Sequence, residues 1–313
     1  MSRTVIAFLL LAALFVAGAL VWMLTRPGAE PALDQAARLD SPYWTGDDRL
    51  VDVDGVMARV RSEGPADAPV IVMVHGFSYS LESWDAWAED LGADYRVIRL
   101  DLPGHGLTGP DPQQRYSVPQ TVDFLGSLLD ELGLDHVTLA GNSLGGLVSW
   151  RLAAERPDLV SRLVLVAPGA YSINGVTEEP VAVPMAVSFY LTSAPEAMVA
   201  AASAGLFGDV SRMDPALPGR VHALMNTPGV GQALVERLEV FTLPDPTAAL
   251  ARVQAPTLVM WGGRDVMIPV AQASRIAGDL PQAELIIYDD LGHILHEEDP
   301  ARTIADIRAF LAQ

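Results

Sequence analysis

The stretch AGNSLGGLVSW, residues 140–150, decides the fold. Ser143 stands between Gly141 and Gly145, each two positions away. The apolar run HVTLA (136–140) leads in, and the small-residue, helix-compatible run GGLVSWRLAAE (145–155) leads out. A serine at a sharp strand-to-helix turn has its hydroxyl exposed, and strand and helix then pass so close that the residues two before and two after must be small. Gly141 and Gly145 meet that need, and the helix start adds amide donors and a dipole for a developing oxyanion. The pattern predicts a nucleophile elbow with Ser143 as its nucleophile. A glycine-rich structural turn is the bland alternative.

Outward from the elbow the chain alternates strands and helices. RLVDVDGVMARVRSEG (49–64) predicts two strands turning at Asp54-Gly55. APVIVMVHGF (68–77) is a buried parallel strand by its unbroken apolar run. DAWAEDLG is a helix, YRVIRLDLPGHG a strand and loop, and VPQTVDFLGSLLDELGL a helix by its spacing. SRLVLVAPG, PTLVMWGGRD and AELIIYDDLGH are further strands. Such alternation predicts an α/β fold, a mostly parallel central sheet with helices on both faces. Residues 171–250 break the rhythm with methionines, aromatics and short helical runs, so they are expected to form an inserted helical cap. Residues 48–170 and 251–313 then form the core.

A serine hydroxyl needs a base, and the base an acid that sets its tautomer. His293, in DDLGHILHEEDP (289–300), directly follows the last expected strand and is preferred to His296, three residues on. Asp265, in WGGRDVMIP (261–269), also follows a strand and suits the acid; a turn or cap role is its structural alternative, and Asp289 and Asp290 are the next candidates. A second oxyanion donor is the Phe77 amide in VHGFSYS (74–80), beside that of Leu144 directly after the serine. His75 and His105 are read as structural. Met185, Phe189 and Phe207 are expected to line the substrate pocket from the cap.

VHGF, DLPGHG, GNSLGG, VLVAPG, WGGRDVMIP and GHILHEEDP occur together and in this order. Over about residues 48–312 the chain therefore resembles the α/β-hydrolase fold family, in its serine-nucleophile branch. The resemblance implies Ser143 as nucleophile, Asp265 as acid, His293 as base, the Phe77 and Leu144 amides as oxyanion hole, and 171–250 as the helical cap. Dehalogenases and epoxide hydrolases of this fold carry an aspartate nucleophile, so the serine speaks against both. GNSLGG also resembles carbon–carbon bond hydrolases of aromatic ring cleavage, which carry an aromatic residue after the catalytic histidine where this chain has Ile294. Haloperoxidases and perhydrolases share the triad. The expected function is hydrolysis of carboxylic esters through an acyl-enzyme, without metal or cofactor, on a small, apolar substrate. A carbon–carbon (meta-cleavage product) hydrolase and a non-catalytic ligand-binding module are the alternatives.

Composition narrows the partners. A net charge of −19 repels phosphate backbones, which speaks against nucleic-acid binding. Every one of the 20 basic residues is arginine. The absence of cysteine excludes disulfides, thiolate catalysis and cysteine-bound metals. VIAFLLLAALFVAGALVWML (5–24) is uncharged and long enough to span a bilayer. Residues 1–25 are thus expected to form a transmembrane anchor, followed by a linker over 26–47. The alternative is a signal peptide cleaved near Ala17-Gly18-Ala19, which would leave a secreted or periplasmic protein. The anchored reading places the catalytic domain at a bacterial inner membrane, outside the cytoplasm.

Overall fold

The computed structural model describes residues 33–313. The apolar stretch 5–24 lies outside the described residues, and among the described residues no helix is long and apolar enough to cross a membrane. Eight strands form one sheet: β1 (Asp48–Val53), β2 (Val56–Glu63), β3 (Val70–Val74), β4 (Arg96–Leu100), β5 (Val137–Asn142), β6 (Val160–Val166), β7 (Thr257–Gly262) and β8 (Ala283–Tyr288). Their spatial order is β1-β2-β4-β3-β5-β6-β7-β8. β2 runs antiparallel to β1 and β4; the pairings from β4 through β8 are parallel. The expected turn joins β1 to β2 with positive φ at both Asp54 and Gly55, as a two-residue hairpin on twisted strands requires.

The central strands β3, β5 and β7 are mostly apolar because helices cover both faces of a parallel sheet. All six residues of β5 and of β7 are buried. The helices α1 (Asp85–Leu91), α2 (Val118–Glu131) and α3 (Leu144–Glu155) lie in the first half of the chain. α2 starts on a reciprocal cap: Ser117 Oγ accepts from the Gln120 amide, and the Gln120 side chain accepts from the Ser117 amide. Between β6 and β7 come α4 (Met185–Ser193), α5 (Glu196–Ala204), α6 (Leu217–Met225) and α7 (Val230–Glu239). They build a second apolar cluster around Leu191, Val199, Val221 and Leu234, which also takes in Tyr79 and Ile294 from the sheet's loops. The chain closes with α8 (Ala271–Asp279) and α9 (Pro300–Leu311).

Two features depart from the sequence expectations. The described part of the expected linker is docked: Leu33 is buried, and the buried Arg38 donates to the carbonyls of Leu107 and Thr108 at 2.8 and 3.0 Å. A buried guanidinium must find acceptors, and the loop after β4 supplies them. The strands also carry charge. Arg59 on β2 is fully buried and meets Asp48, Glu82 and Asp101 at 3.0, 2.7 and 3.2 Å. Asp101, just past β4, accepts in addition from the amides of Leu81 and Leu107, both at 2.8 Å. This network fixes the loops that follow β3 and β4.

Candidate active site

β3 and β5 are neighbours, and the chain leaves them in the loop 75–80 and at Ser143. In a parallel sheet, the crevice outside the carboxyl ends at such a crossover is where ligands bind. Ser143 sits there with φ 53° and ψ −111°, a conformation that residues with a Cβ rarely hold. Backbone strain of this kind costs about 1–3 kcal/mol and persists only where the surroundings enforce it. They do so here through close approach. A Cβ built on Gly145 would lie 2.1 Å from the Val74 carbonyl oxygen, and one on Gly141 would lie 2.4 Å from that of Gly145. The Gly145→Ala variant should therefore lose about 2 kcal/mol of stability by overpacking. Thermal unfolding monitored by circular dichroism checks this, and an unchanged midpoint would show that the contact relaxes freely.

His293 follows β8 and Asp265 follows β7, so both arrive at the same edge. His293 Nδ1 donates to Asp265 Oδ2 at 2.8 Å, with the carboxylate fully shielded from solvent. The other oxygen, Oδ1, accepts from the amides of Met267 and Ile268 at 2.8 and 2.9 Å. With Oδ1 occupied, Oδ2 is left to orient the ring. The His293 backbone is held as well: its amide donates to the Leu206 carbonyl at 2.7 Å, and its carbonyl accepts from Asn142 Nδ2 at 3.3 Å. Ser143 and His293 line one cavity of about 240 Å³, together with Gly76, Phe77 and Met267. The amides of Phe77 and Leu144 make no hydrogen bond among the described residues, and Leu144 is the first residue of α3, where amides are free by construction.

A family model of the alpha/beta hydrolase fold matches residues 69–300. The chain belongs to the α/β-hydrolase fold family. A Mycobacterium tuberculosis protein of uncharacterized function is 30% identical over 284 residues, covering 81% of this chain and 77% of its own. A hydrolase from Pseudomonas aeruginosa PA01 superposes with a TM-score of 0.72 at 25% identity, over 86% of this chain and all of its own. The enol-lactonase from Burkholderia xenovorans LB400 does so with a TM-score of 0.74 at 23% identity, over 84% of this chain and 100% of its own, a likeness of fold alone.

Within this α/β-hydrolase His75, His105 and His296 take structural places. His75 Nδ1 donates to the Gly76 carbonyl at 2.7 Å while Nε2 accepts from the Leu102 amide at 3.0 Å. Burial pushes its pKa down, so it stays neutral and ties the β3 loop to the β4 loop. His105, also lowered well below its ordinary value by burial, packs its ring against Phe77. His296 is buried against Trp84 with ring centroids 4.2 Å apart. Burial first, then the His293 and Arg220 charges, push its pKa down to about 3, so it is a poor base at neutral pH. Asp290 lies at the surface in ion pairs with Arg212 and Arg302.

The expected cap residues are a correction. Met185 and Phe189 are each 46% exposed, and Phe207 is buried in the apolar cluster of the inserted helices; none of the three lines a cavity at Ser143. The faces that do so belong to Val187, Tyr190 and Leu191 of α4, with Leu206 and Val221. α4 reads MAVSFYLTS, apolar on nearly every side, so its periodicity does not select a face. Residues 185 and 189 share one side, and 187, 190 and 191 share another.

Two supporting residues were not anticipated. Besides holding the His293 carbonyl, Asn142 donates to the Val166 carbonyl at 3.0 Å. Glu298 accepts from the amides of Gly208, Asp209 and Gly292 at 2.9, 2.8 and 2.7 Å. One carboxylate thus fastens the residue before His293 to the turn after α5. A polar side chain next to the elbow and a glutamate five positions after the histidine are the only sequence signals of either role. Among the described residues no group of histidine, aspartate and glutamate side chains is arranged to hold a metal ion.

Proposed function

We propose that the protein is a serine hydrolase of carboxylic esters. Ser143 Oγ attacks the acyl carbon, and His293 Nε2 takes its proton. Asp265 holds the imidazole with Nδ1 protonated and stabilises the imidazolium that forms. The Phe77 and Leu144 amides receive the oxyanion. His293 returns the proton to the departing alkoxide, then activates water to release the acid. The observation that supports this most is the 2.8 Å Asp265–His293 bond lining up a base in the cavity of a strained, solvent-reachable Ser143. No step calls for a metal or organic cofactor.

Residues 171–250 are read as a cap, because residues of α4, α5 and α6 form the far wall of that cavity. The apolar segment 5–24 is read as a membrane anchor, with the catalytic domain outside the cytoplasm; fractionation of the full chain tests this. The deciding experiment exposes purified protein to a fluorophosphonate probe, then to p-nitrophenyl esters beside a vinylogous diketone substrate. The reading expects stoichiometric labelling at Ser143 and turnover of the esters. Labelling with turnover of the diketone alone would move the assignment to carbon–carbon hydrolysis. Absence of both labelling and turnover would leave a binding module.

A further inference from the structure

A second cavity, of about 160 Å³, reaches Ser143 but is not lined by His293. Ser143, Phe77 and Met267 line both cavities and so form the waist between them. His293 and Ile294 line only the larger cavity, and Leu144 only the smaller. The walls differ in chemistry. The larger one is mostly apolar, with hydroxyl-bearing side chains of Ser78, Tyr79, Tyr190 and Ser203 set in its wall. The smaller is walled by Leu147, Ile173, Leu238, Phe241 and Ile268. Its single charged residue, Arg237, is tied down, donating to the carbonyls of Tyr116 and Pro103 and to Thr121 Oγ1 at 2.9, 2.8 and 2.8 Å.

The serine-hydrolase reading, on which this rests, fixes how a substrate must lie across the waist. The tetrahedral carbon carries four groups: Ser143 Oγ, the oxyanion, the alcohol oxygen and the acyl chain. The oxyanion faces the Phe77 and Leu144 amides. The C–O bond to the alcohol breaks as that oxygen takes the proton from His293, so the alcohol must lie on the His293 side. The acyl chain is left the other side. We infer that the larger cavity receives the alcohol and the smaller, more uniformly apolar cavity receives the acyl group. The substrate class is then an ester of a short apolar acid with a bulkier alcohol. The volume of the acyl cavity, about 160 Å³ against about 240 Å³ for the larger cavity, favours the less bulky group there.

The test is a matrix of esters in which acid and alcohol vary separately, read as kcat/KM, with the deacylation rate taken from burst kinetics. Wild type should tolerate a change from methyl to naphthyl alcohols. It should fall about tenfold or more once the acyl chain outgrows its cavity, since a methylene of pocket contact is worth 10-fold upward. Phe241→Ala should shift the acyl optimum to longer chains and leave the order of alcohols unchanged. Val187→Trp should penalise naphthyl butyrate about tenfold against methyl butyrate and leave deacylation of the butyryl-enzyme unchanged, because the alcohol has gone by then. Tolerance of long acyl chains with rejection of bulky alcohols in wild type, or acyl effects from Val187→Trp and alcohol effects from Phe241→Ala, would overturn the partition while leaving a working serine hydrolase. The wild-type matrix decides even if a variant fails to fold. Absence of both probe labelling and ester turnover would overturn the underlying reading instead, and the partition with it.

Discussion

Ser143→Ala should abolish ester hydrolysis, with kcat down by about a millionfold, the scale of removing a triad nucleophile in a serine protease. That is roughly 8 kcal/mol of barrier at 1.36 kcal/mol per decade. The fold should be unaffected, because the Ser143 side chain makes no hydrogen bond among the described residues. Stability offers a second readout. Ser143 holds φ 53°, and alanine keeps the Cβ that makes this costly. Ser143→Gly removes it, so the glycine variant should be as inactive as Ser143→Ala yet more stable than it by about 1–3 kcal/mol. Assay at high enzyme concentration and thermal melts of the two variants check both statements. Residual turnover within tenfold of wild type would remove Ser143 from the chemistry. Equal melting points would mean that the turn is not strained.

The parts of this architecture that the sequence makes legible are those written in short runs. β3, β5, β6 and β7 are buried on both faces, so each is an apolar run ended by glycine, proline or asparagine, and each is found where the runs predict it. The placement of Ser143, Asp265 and His293 is legible because each lies just past a strand, β5, β7 or the half-exposed β8, and a parallel sheet brings those ends to one edge. What escaped is written in long-range geometry. Arg59 pairs with Asp101 across 42 positions, and Asn142 reaches the His293 carbonyl across 151. No local pattern marks such partners. The wall of the cavity escaped for a different reason: helix α4 is apolar all round, and its pocket side is settled by packing against α7 rather than by its own periodicity. A position such as Phe189 is therefore attractive as a pocket residue on composition and wrong by about half a helical turn.

Asp265→Asn should lower kcat by about ten-thousandfold, the scale known for this substitution in a serine protease triad. The carboxylate accepts three hydrogen bonds, from His293 Nδ1 on one oxygen and from the Met267 and Ile268 amides on the other. Asparagine has one oxygen and one amide nitrogen, so it cannot accept on both sides. If its oxygen stays with the two backbone amides, its NH₂ meets His293 Nδ1. That ring then accepts at Nδ1 and carries its proton on Nε2, where it can no longer take one from Ser143. If the side chain flips to serve the ring, two backbone amides face an NH₂ group, and the turn after β7 loses about 1–3 kcal/mol. The first state removes the working base; the second keeps its tautomer but loses the negative charge that stabilises the imidazolium. The two are distinguishable: the first gives a folded, inactive enzyme with unchanged melting temperature, the second a lower melting temperature. In both, a strongly electrophilic fluorophosphonate should label Ser143 more slowly than in wild type, since the serine is unactivated in the first state and loses the stabilised imidazolium in the second. A fall in kcat of less than tenfold would show that another group orients His293. Asp290 is engaged with Arg212 and Arg302, so it does not stand ready to replace Asp265.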